Sequence, residues 1–230
     1  MFGSKLVVRR FDNYAKKYEE RDVEEVKGRI LFYGHSLFTR CAYENRWGNP
    51  SLEENVLGKD GKPCILNHGF GTSSAEDLLY YYPRLVRPYE PRALVLCTSN
   101  NDYGFGYSPF QVVDLLARVI DWAKADFPGI PIYVFSHLPT LKAVDTVSVF
   151  TRNRDEFDKM AKLMCEEKEV RFVKLVDQPY LFENAEDVGN YDKIRHDLFC
   201  EDRTHYGPEG YMVFHDFIRG LLDDILGREF

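Results

Sequence analysis

The stretch ALVLC at residues 93–97, followed directly by TSNND at residues 98–102, decides the fold prediction. Five consecutive apolar residues are typical of a strand that is buried on both faces of a sheet. Polar residues such as those that follow are common where a strand gives way to a turn. The stretch therefore predicts a central strand whose carboxyl end carries hydrogen-bonding side chains.

Four further short runs have the same apolar character, and amphipathic segments separate them. The runs are residues 29–33 (RILFY), 63–66 (PCIL), 131–135 (PIYVF) and 171–176 (RFVKLV), and the helical segments are residues 75–84, 110–127, 154–167 and 208–226. Strands that alternate with helices predict an α/β fold in which helices cover both faces of a parallel sheet. Ligand sites of such sheets collect at the carboxyl ends of the strands.

The first 27 residues are more polar than the rest of the chain. Residues 11–27 predict a helix and a linker, in which Phe11, Tyr14 and Tyr18 share one side. No domain boundary is evident beyond this region. We therefore predict an N-terminal helical arm (residues 1–27) that packs on a single domain (residues 28–230).

The composition excludes several classes of protein. The chain has 230 residues and a net charge of −7, which argues against a nucleic-acid-binding surface. Its first residues lack the apolar run of a signal peptide, and no segment is apolar enough to span a bilayer. Five cysteines without a C-x-x-C pair favour reduced thiols in the cytoplasm over disulfides or a zinc site.

Groups suited to acyl transfer follow several of the predicted strands. Ser36, in GHSL, places a hydroxyl at a helix start, where it is either a nucleophile or only a helix cap. The segment NHGFGTSS at residues 67–74 offers backbone N–H groups, or only a tight turn. Asp202 and His205 lie close enough for the carboxylate to orient the imidazole, although a surface histidine would give the same pattern. Together these groups supply a nucleophile, oxyanion donors, a general base and its partner.

The order of the motifs GHSL, NHGFG, SNND and LFCEDRTH resembles that of the SGNH hydrolases, also called the GDSL-type esterase and lipase superfamily. The resemblance runs from about residue 28 to the end of the chain. It implies a three-layer α/β/α sandwich with a five-stranded parallel sheet, similar to flavodoxin, and no metal or organic cofactor. It also implies that Ser36 is the nucleophile and Asn101 the side-chain oxyanion donor. His205 would then be the base, with Asp202 as its orienting partner.

The sequence departs from the family pattern at three positions. The glycine that supplies a backbone oxyanion N–H in the family corresponds to Thr72, whereas Gly71 stands one residue earlier, so the donor is either of the two. His35 replaces the aspartate of the usual first motif, and Ser99 replaces a glycine of the third. Four further histidines are expected at the surface or the core edge rather than on a metal: His68, His137, His196 and His215.

We expect a serine esterase that hydrolyses small acyl esters, with a carbohydrate deacetylase as the favoured refinement. An acyltransferase that uses the same residues and a non-catalytic module of the same fold remain alternatives, and a flavin or nucleotide binder is disfavoured. The expected partner is a small ester, such as an acylated sugar, rather than nucleic acid or a membrane. The oligomeric state stays open, with a dimer compatible with the exposed aromatic residues. The aromatic loop at residues 102–110 and the segment at residues 136–154 are expected at the cleft.

Overall fold

The computed structural model of the protein describes residues 10–21, 23–144 and 149–226. The predicted arm residues 1–9 and the last residues of the predicted domain, 227–230, lie outside the described residues, as do residues 145–148 of the expected rim segment. In chain order the elements are α1 (Asp12–Glu19), α2 (Val23–Val26), β1 (Ile30–Gly34), α3 (Ser36–Thr39), α4 (Leu52–Asn55), β2 (Ile65–Gly69), α5 (Ala75–Leu85), β3 (Ala93–Cys97), α6 (Asn100–Gly104), α7 (Pro109–Asp126), β4 (Ile132–Phe135), α8 (Leu141–Val144), α9 (Val149–Glu167), β5 (Arg171–Val173), α10 (Pro208–Leu221) and α11 (Asp223–Leu226).

The five strands form one parallel sheet in the order β2-β1-β3-β4-β5. The predicted α/β sandwich with a five-stranded parallel sheet is confirmed. Strand order reverses direction at β1 and β3, and the carboxyl ends of these two strands carry Ser36 and Asn101. A ligand site is expected at such a switch point.

Alternate side chains of each strand enter two separate cores, one on each face of the sheet. In β1, Leu31 and Tyr33 pack in the core that includes Leu78 of α5. Ile30 and Phe32 point the other way, into the core that includes Phe214 of α10. The strands are continuous apolar runs in the sequence because neither face of the sheet is exposed to water.

The N-terminal arm packs on the first of these cores through its aromatic residues. Phe11 and Tyr18 are buried there, and the Tyr18 ring stacks on His68 with 4.5 Å between ring centroids. The Tyr18 hydroxyl donates a hydrogen bond to the Gly69 carbonyl at the end of β2. The arm is therefore fixed next to a strand end that faces the predicted site.

Strand β2 extends three residues beyond its predicted end at Leu66, through Asn67 and His68 to Gly69. Both polar side chains are buried, and each has a hydrogen-bond partner. The Asn67 amide donates to the Phe38 carbonyl at 2.9 Å, and His68 Nδ1 lies 2.7 Å from the Leu85 carbonyl oxygen. A buried polar group is tolerated when it has a hydrogen-bond partner. A prediction based only on apolar residues therefore ended this strand too early.

Other predicted ends also shift, and α9 begins at Val149 rather than at residue 154. Strand β5 stops at Val173 rather than at residue 176, because the Ser136 hydroxyl accepts a hydrogen bond from the Leu175 N–H at 2.8 Å. This side-chain contact replaces the pairing that a longer strand would make with β4. The last predicted helix is interrupted at Leu222, which separates α10 from α11.

Candidate active site

A hydrogen-bonded chain joins three of the predicted site residues. His205 Nε2 lies 2.9 Å from the Ser36 hydroxyl, and His205 Nδ1 lies 2.8 Å from Asp202 Oδ2. Ser36 and His205 are 169 residues apart in the sequence. With Nδ1 protonated toward the carboxylate, Nε2 is free to take the proton of the serine hydroxyl.

The turn that carries Asp202 and His205 is closed by its own backbone. Phe199 and Tyr206 form an antiparallel bridge across it. Asp202 Oδ1 accepts hydrogen bonds from the N–H groups of Thr204 and His205, both at 2.9 Å. The carboxylate thus has a fixed rotamer, with one oxygen on the backbone and the other on the imidazole.

The surroundings set the ionisation of this pair. Burial by itself would raise the pKa of the Asp202 carboxyl, but hydrogen bonds from the N–H groups of Thr204 and His205 and from the imidazole outweigh it and hold that pKa well below its usual range. Burial lowers the pKa of His205, Asp202 opposes the shift, and the positive charges of Arg40 and Lys142 add to it. At neutral pH the carboxylate is ionised and the imidazole is unprotonated, as a general base must be.

Two glycines allow close packing around Ser36: Gly34 lets the end of β1 lie close to β3, and Gly69 lets α3 lie close to β2. A Cβ on Gly34 would lie 2.4 Å from the Cys97 carbonyl oxygen, and one on Gly69 would lie 2.4 Å from the Thr39 nitrogen. Neither position tolerates a larger residue without displacing the backbone. The close packing of α3 over the ends of β1 and β2 holds Ser36 at the switch point.

Two kinds of hydrogen-bond donor lie in the cleft that Ser36 lines: a side-chain amide and backbone N–H groups. The Asn101 amide donates one N–H to the Ser73 carbonyl at 3.0 Å, which leaves its second N–H for a ligand. Within the part of the chain that the structure describes, no group accepts from the backbone N–H of Ser36, Gly71 or Thr72. All of these residues except Ser73 line one cleft, so they can donate to an oxyanion there.

A sequence profile of the GDSL-like lipase/acylhydrolase family matches residues 32–213, more than half of the chain. The chain belongs to the GDSL-like lipase/acylhydrolase family. A search of curated proteins found no significant match.

Several solved structures share the fold. A GDSL-like lipase from Bacteroides thetaiotaomicron superposes with a TM-score of 0.69 at 16% identity, covering 94% of this chain and 98% of that one. TesA superposes with a TM-score of 0.63 at 17% identity, covering 85% and 98%. A mutant of Axe2, an acetylxylan esterase from Geobacillus stearothermophilus, superposes with a TM-score of 0.61 at 15% identity, covering 88% and 97%. At these identities the likeness shows the fold.

His35 stands where the GDSL pattern has aspartate, and it caps the serine helix in a different way. Its Nδ1 accepts a hydrogen bond from the Leu37 N–H at 3.2 Å, while Nε2 lies 3.5 Å from Cys97 Sγ. Burial and the neighbouring His205 lower the pKa of His35 to about 3, so the ring is neutral. A neutral cap avoids placing a second charge beside the His205 imidazole.

The other two departures from the GDSL pattern both occupy backbone conformations that favour glycine. Thr72 has φ +65° and Ser99 has φ +102°. Each is held by a hydrogen bond: Arg10 donates to the Thr72 carbonyl at 2.7 Å, and the Ser99 N–H donates to Asp102 at 3.0 Å. Residues with a Cβ are strained at such angles, so the oxyanion side of this GDSL site stores strain that neighbouring contacts maintain. Gly71, by contrast, has no positive φ.

Asp102 is a structural residue of the site that sequence reasoning left without a role. It is fully buried and accepts hydrogen bonds from the Ala75 N–H at 2.7 Å and from the Thr98 hydroxyl at 2.9 Å. Burial raises its pKa to about 6, although these hydrogen bonds oppose the shift. The carboxyl fastens the loop that carries Asn101 to the start of α5.

The cleft around Ser36 has a volume of about 420 Å³. Its lining comes from the arm, the two loops after β1 and β2, and the loops after β3, β4 and β5: Arg10, Phe11, Tyr14, His35, Ser36, Arg40, Arg46, Trp47, Gly71, Thr72, Asn100, Asn101, Leu138, Thr204 and His205.

The prediction that the aromatic loop at residues 102–110 lies at the cleft is wrong, since none of its residues is in the lining. Tyr103 and Tyr107 are buried in the core, and Phe105 packs under the Arg10 guanidinium at 4.5 Å. The aromatic lining comes instead from the arm and from Trp47. The sequence analysis did not identify this part of the lining, although the closely spaced Arg40, Arg46 and Trp47 could have indicated it.

The expected rim segment contributes one described residue, Leu138, to the lining. Arg154 is not at the rim, because its side chain is buried against the Tyr191 ring at 5.4 Å. The side chain of Arg152 lies outside the described residues. Lys142 is exposed and affects the site through its charge on His205.

The histidines that were expected at the surface or core edge are mostly deeper than that. His68, His137 and His215 are fully buried, and His196 is exposed. His137 bridges Asp158 and the Tyr191 hydroxyl at 3.3 and 2.8 Å. The described residues contain no cluster of three or more His, Cys, Asp or Glu side chains suited to a metal ion. Within the same residues, no helix is long and apolar enough to cross a membrane.

Proposed function

We propose that the protein is a serine esterase that hydrolyses small acyl esters, with acetyl as the favoured acyl group. The observation that carries this proposal is the unbroken chain from the Ser36 hydroxyl through His205 to Asp202, with distances of 2.9 and 2.8 Å. Ser36 and His205 line a cleft in which the N–H groups of Ser36, Gly71 and Thr72 have no acceptor among the described residues.

The residues of the site act in two half-reactions. Ser36 attacks the ester carbonyl while His205 Nε2 takes its proton, and the oxyanion accepts hydrogen bonds from Asn101 and from backbone N–H groups. The imidazolium then protonates the leaving alcohol, and the acyl group stays on Ser36. Water deprotonated by His205 attacks this acyl-serine and releases the acid. Asp202 holds the imidazole and stabilises its charged form in both steps.

The size and lining of the cleft favour a small acyl group and a polar alcohol. A volume of about 420 Å³ lies toward the lower end of the range for ligand pockets. Three arginines and two asparagines are among the residues that line the cleft, and they can hydrogen-bond to an alcohol rich in oxygen atoms, such as a sugar. Axe2, which shares the fold, is an acetylxylan esterase. A carbohydrate deacetylase is therefore the refinement that we propose.

Turnover of 4-nitrophenyl acetate tests the proposal. We expect activity in the purified protein, loss of that activity in Ser36→Ala, and wild-type activity in the control Ser108→Ala, which changes a helix cap away from the cleft. A fluorophosphonate probe should label the wild type but not Ser36→Ala. Wild-type turnover by a folded Ser36→Ala protein would refute the assignment.

The substrate side is tested with esters of increasing acyl length, followed by acetylated sugars. We expect kcat/KM to be highest for acetyl and to fall as the chain lengthens. Adding sugar acceptors shows whether the acyl group passes to an alcohol instead of water, and transfer as the main product would favour an acyltransferase. We also propose a reducing compartment such as the cytoplasm, because all five cysteines are free thiols.

A further inference from the structure

The charged side chains that line the cleft are all basic. Arg10, Arg40 and Arg46 line it together with His205, and the lining as described holds no Asp or Glu. This contrasts with the chain as a whole, which has a net charge of −7. A cleft whose charge opposes that of the protein concentrates anionic ligands.

Two of the three arginines are neutralised by carboxylates behind the cleft wall. Arg10 pairs with Asp77 at 2.7 Å, and Arg40 pairs with Asp202 at 3.0 Å. Through these ion pairs, Arg10 and Arg40 help to hold the elements around the cleft together. The ion pairs leave little unbalanced charge on either guanidinium for a ligand.

Arg46 is different, because no carboxylate among the described residues pairs with it. Its side chain is exposed, and its guanidinium lies 4.7 Å from the centroid of the Trp47 ring. Arg40 also lies over that ring, at 5.0 Å. Trp47 thereby holds the Arg46 guanidinium at the cleft with its hydrogen-bond donors open to a ligand.

A series of contacts connects Arg46 to the His205 imidazole. His205 contacts Asp202, Asp202 contacts Arg40, and Arg40 and Arg46 share the Trp47 ring. His205 is the group that protonates the departing alcohol in the proposed mechanism. The alcohol part of an ester would therefore extend past the imidazole toward Trp47 and Arg46.

We propose that the natural substrate is an acyl ester whose alcohol part carries a carboxylate or phosphate, and that Arg46 binds this anion. The proposal rests on the esterase function and adds the charge of the substrate. A planar guanidinium suits both anions because it donates two parallel hydrogen bonds to either.

The test compares three monoacetylated sugars with the same purified protein: acetylated glucose, acetylated glucuronate and acetylated glucose phosphate. We expect kcat/KM for at least one anionic ester to exceed that for the neutral ester by about tenfold, the effect of one charge-assisted hydrogen bond. The two anionic esters show whether carboxylate or phosphate is preferred. Raising the salt concentration should reduce the preference.

Arg46→Gln is the decisive variant, with Arg118→Gln on an exposed helix face as its matched control. We expect Arg46→Gln to lose the preference for the anionic ester, so that its kcat/KM falls about tenfold for the anionic ester and much less for the neutral one. The control Arg118→Gln should keep the wild-type preference for the anionic ester and the wild-type kcat/KM for the neutral ester. Equal kcat/KM for neutral and anionic esters in the wild type, or an unchanged preference in Arg46→Gln, would overturn the proposal.

Binding to Ser36→Ala separates this proposal from the esterase function. The variant cannot form the acyl-serine, yet it should bind the preferred anionic ester about tenfold more tightly than Ser36→Ala combined with Arg46→Gln does. Such binding without any turnover by the wild type would refute the esterase function alone. Turnover without charge preference would refute the anion site alone.

Discussion

Replacing Ser99 with glycine should stabilise the protein. Ser99 has φ +102° and ψ −48°, a conformation that costs a residue with a Cβ about 1–3 kcal/mol. Glycine removes that cost, but its greater freedom in the unfolded chain takes back about 0.4–1 kcal/mol. The net expectation for Ser99→Gly is a gain of about 1 kcal/mol. For a chain of this length, that corresponds to a rise in Tm of about 2–4 °C.

Thermal unfolding followed by calorimetry measures this effect, and Ser99→Ala is the matched control. Alanine removes the same buried hydroxyl as glycine but keeps the Cβ, so Ser99→Ala should gain clearly less stability than Ser99→Gly. The Ser99 N–H that donates to Asp102 at 3.0 Å remains in both variants, so esterase activity should persist in both. A lower Tm for Ser99→Gly, or an equal rise for Ser99→Ala, would refute the inference that backbone strain is stored at this position.

Four further outcomes are expected from the geometry of the site. Asp202→Asn should lower kcat by about ten-thousandfold, since the imidazole loses the partner that fixes its tautomer; a loss below tenfold would contradict that role. Asn101→Ala should lower kcat by about a hundredfold to a thousandfold if its amide binds the oxyanion, and steady-state kinetics showing only a KM effect would count against it. The pKa of His205 is lowered, and the base must be unprotonated to act. We therefore expect kcat/KM to rise with pH and to reach half of its maximum below about pH 6.5, the ordinary pKa of histidine. A midpoint at pH 7 or above would contradict this expectation. Arg10→Met should lower kcat more than it raises KM, because the Thr72 carbonyl loses the donor at 2.7 Å that holds its peptide, and equal kcat in variant and wild type would exclude this positioning role.

The sequence predicted those parts of the fold that depend on local patterns. Strand β3 has the predicted ends, and α5, α7 and α10 begin within one residue of their predicted starts, because apolar periodicity and helix caps are local signals. Strand β2 was predicted too short because Asn67 and His68 are polar, and only distant partners at Phe38 and Leu85 make their burial favourable.

For the site, too, only the parts that depend on local sequence patterns could be predicted. The motif residues Ser36, Asn101, Asp202 and His205 could be found because each follows a strand or precedes a helix. The walls of the cleft could not, since they depend on contacts between residues far apart in the chain. Arg10 and Thr72, for example, are 62 residues apart, and nothing in either local sequence indicates that they meet.

The N-terminal arm forms part of the wall of the cleft, because Arg10, Phe11 and Tyr14 all border the space beside Ser36. Substitutions at Arg10, Phe11 or Tyr14 therefore change the wall of the cleft directly. Because this part of the wall lies far from Ser36 and His205 in the sequence, substitutions in the arm could change which esters are accepted without changing the reacting groups.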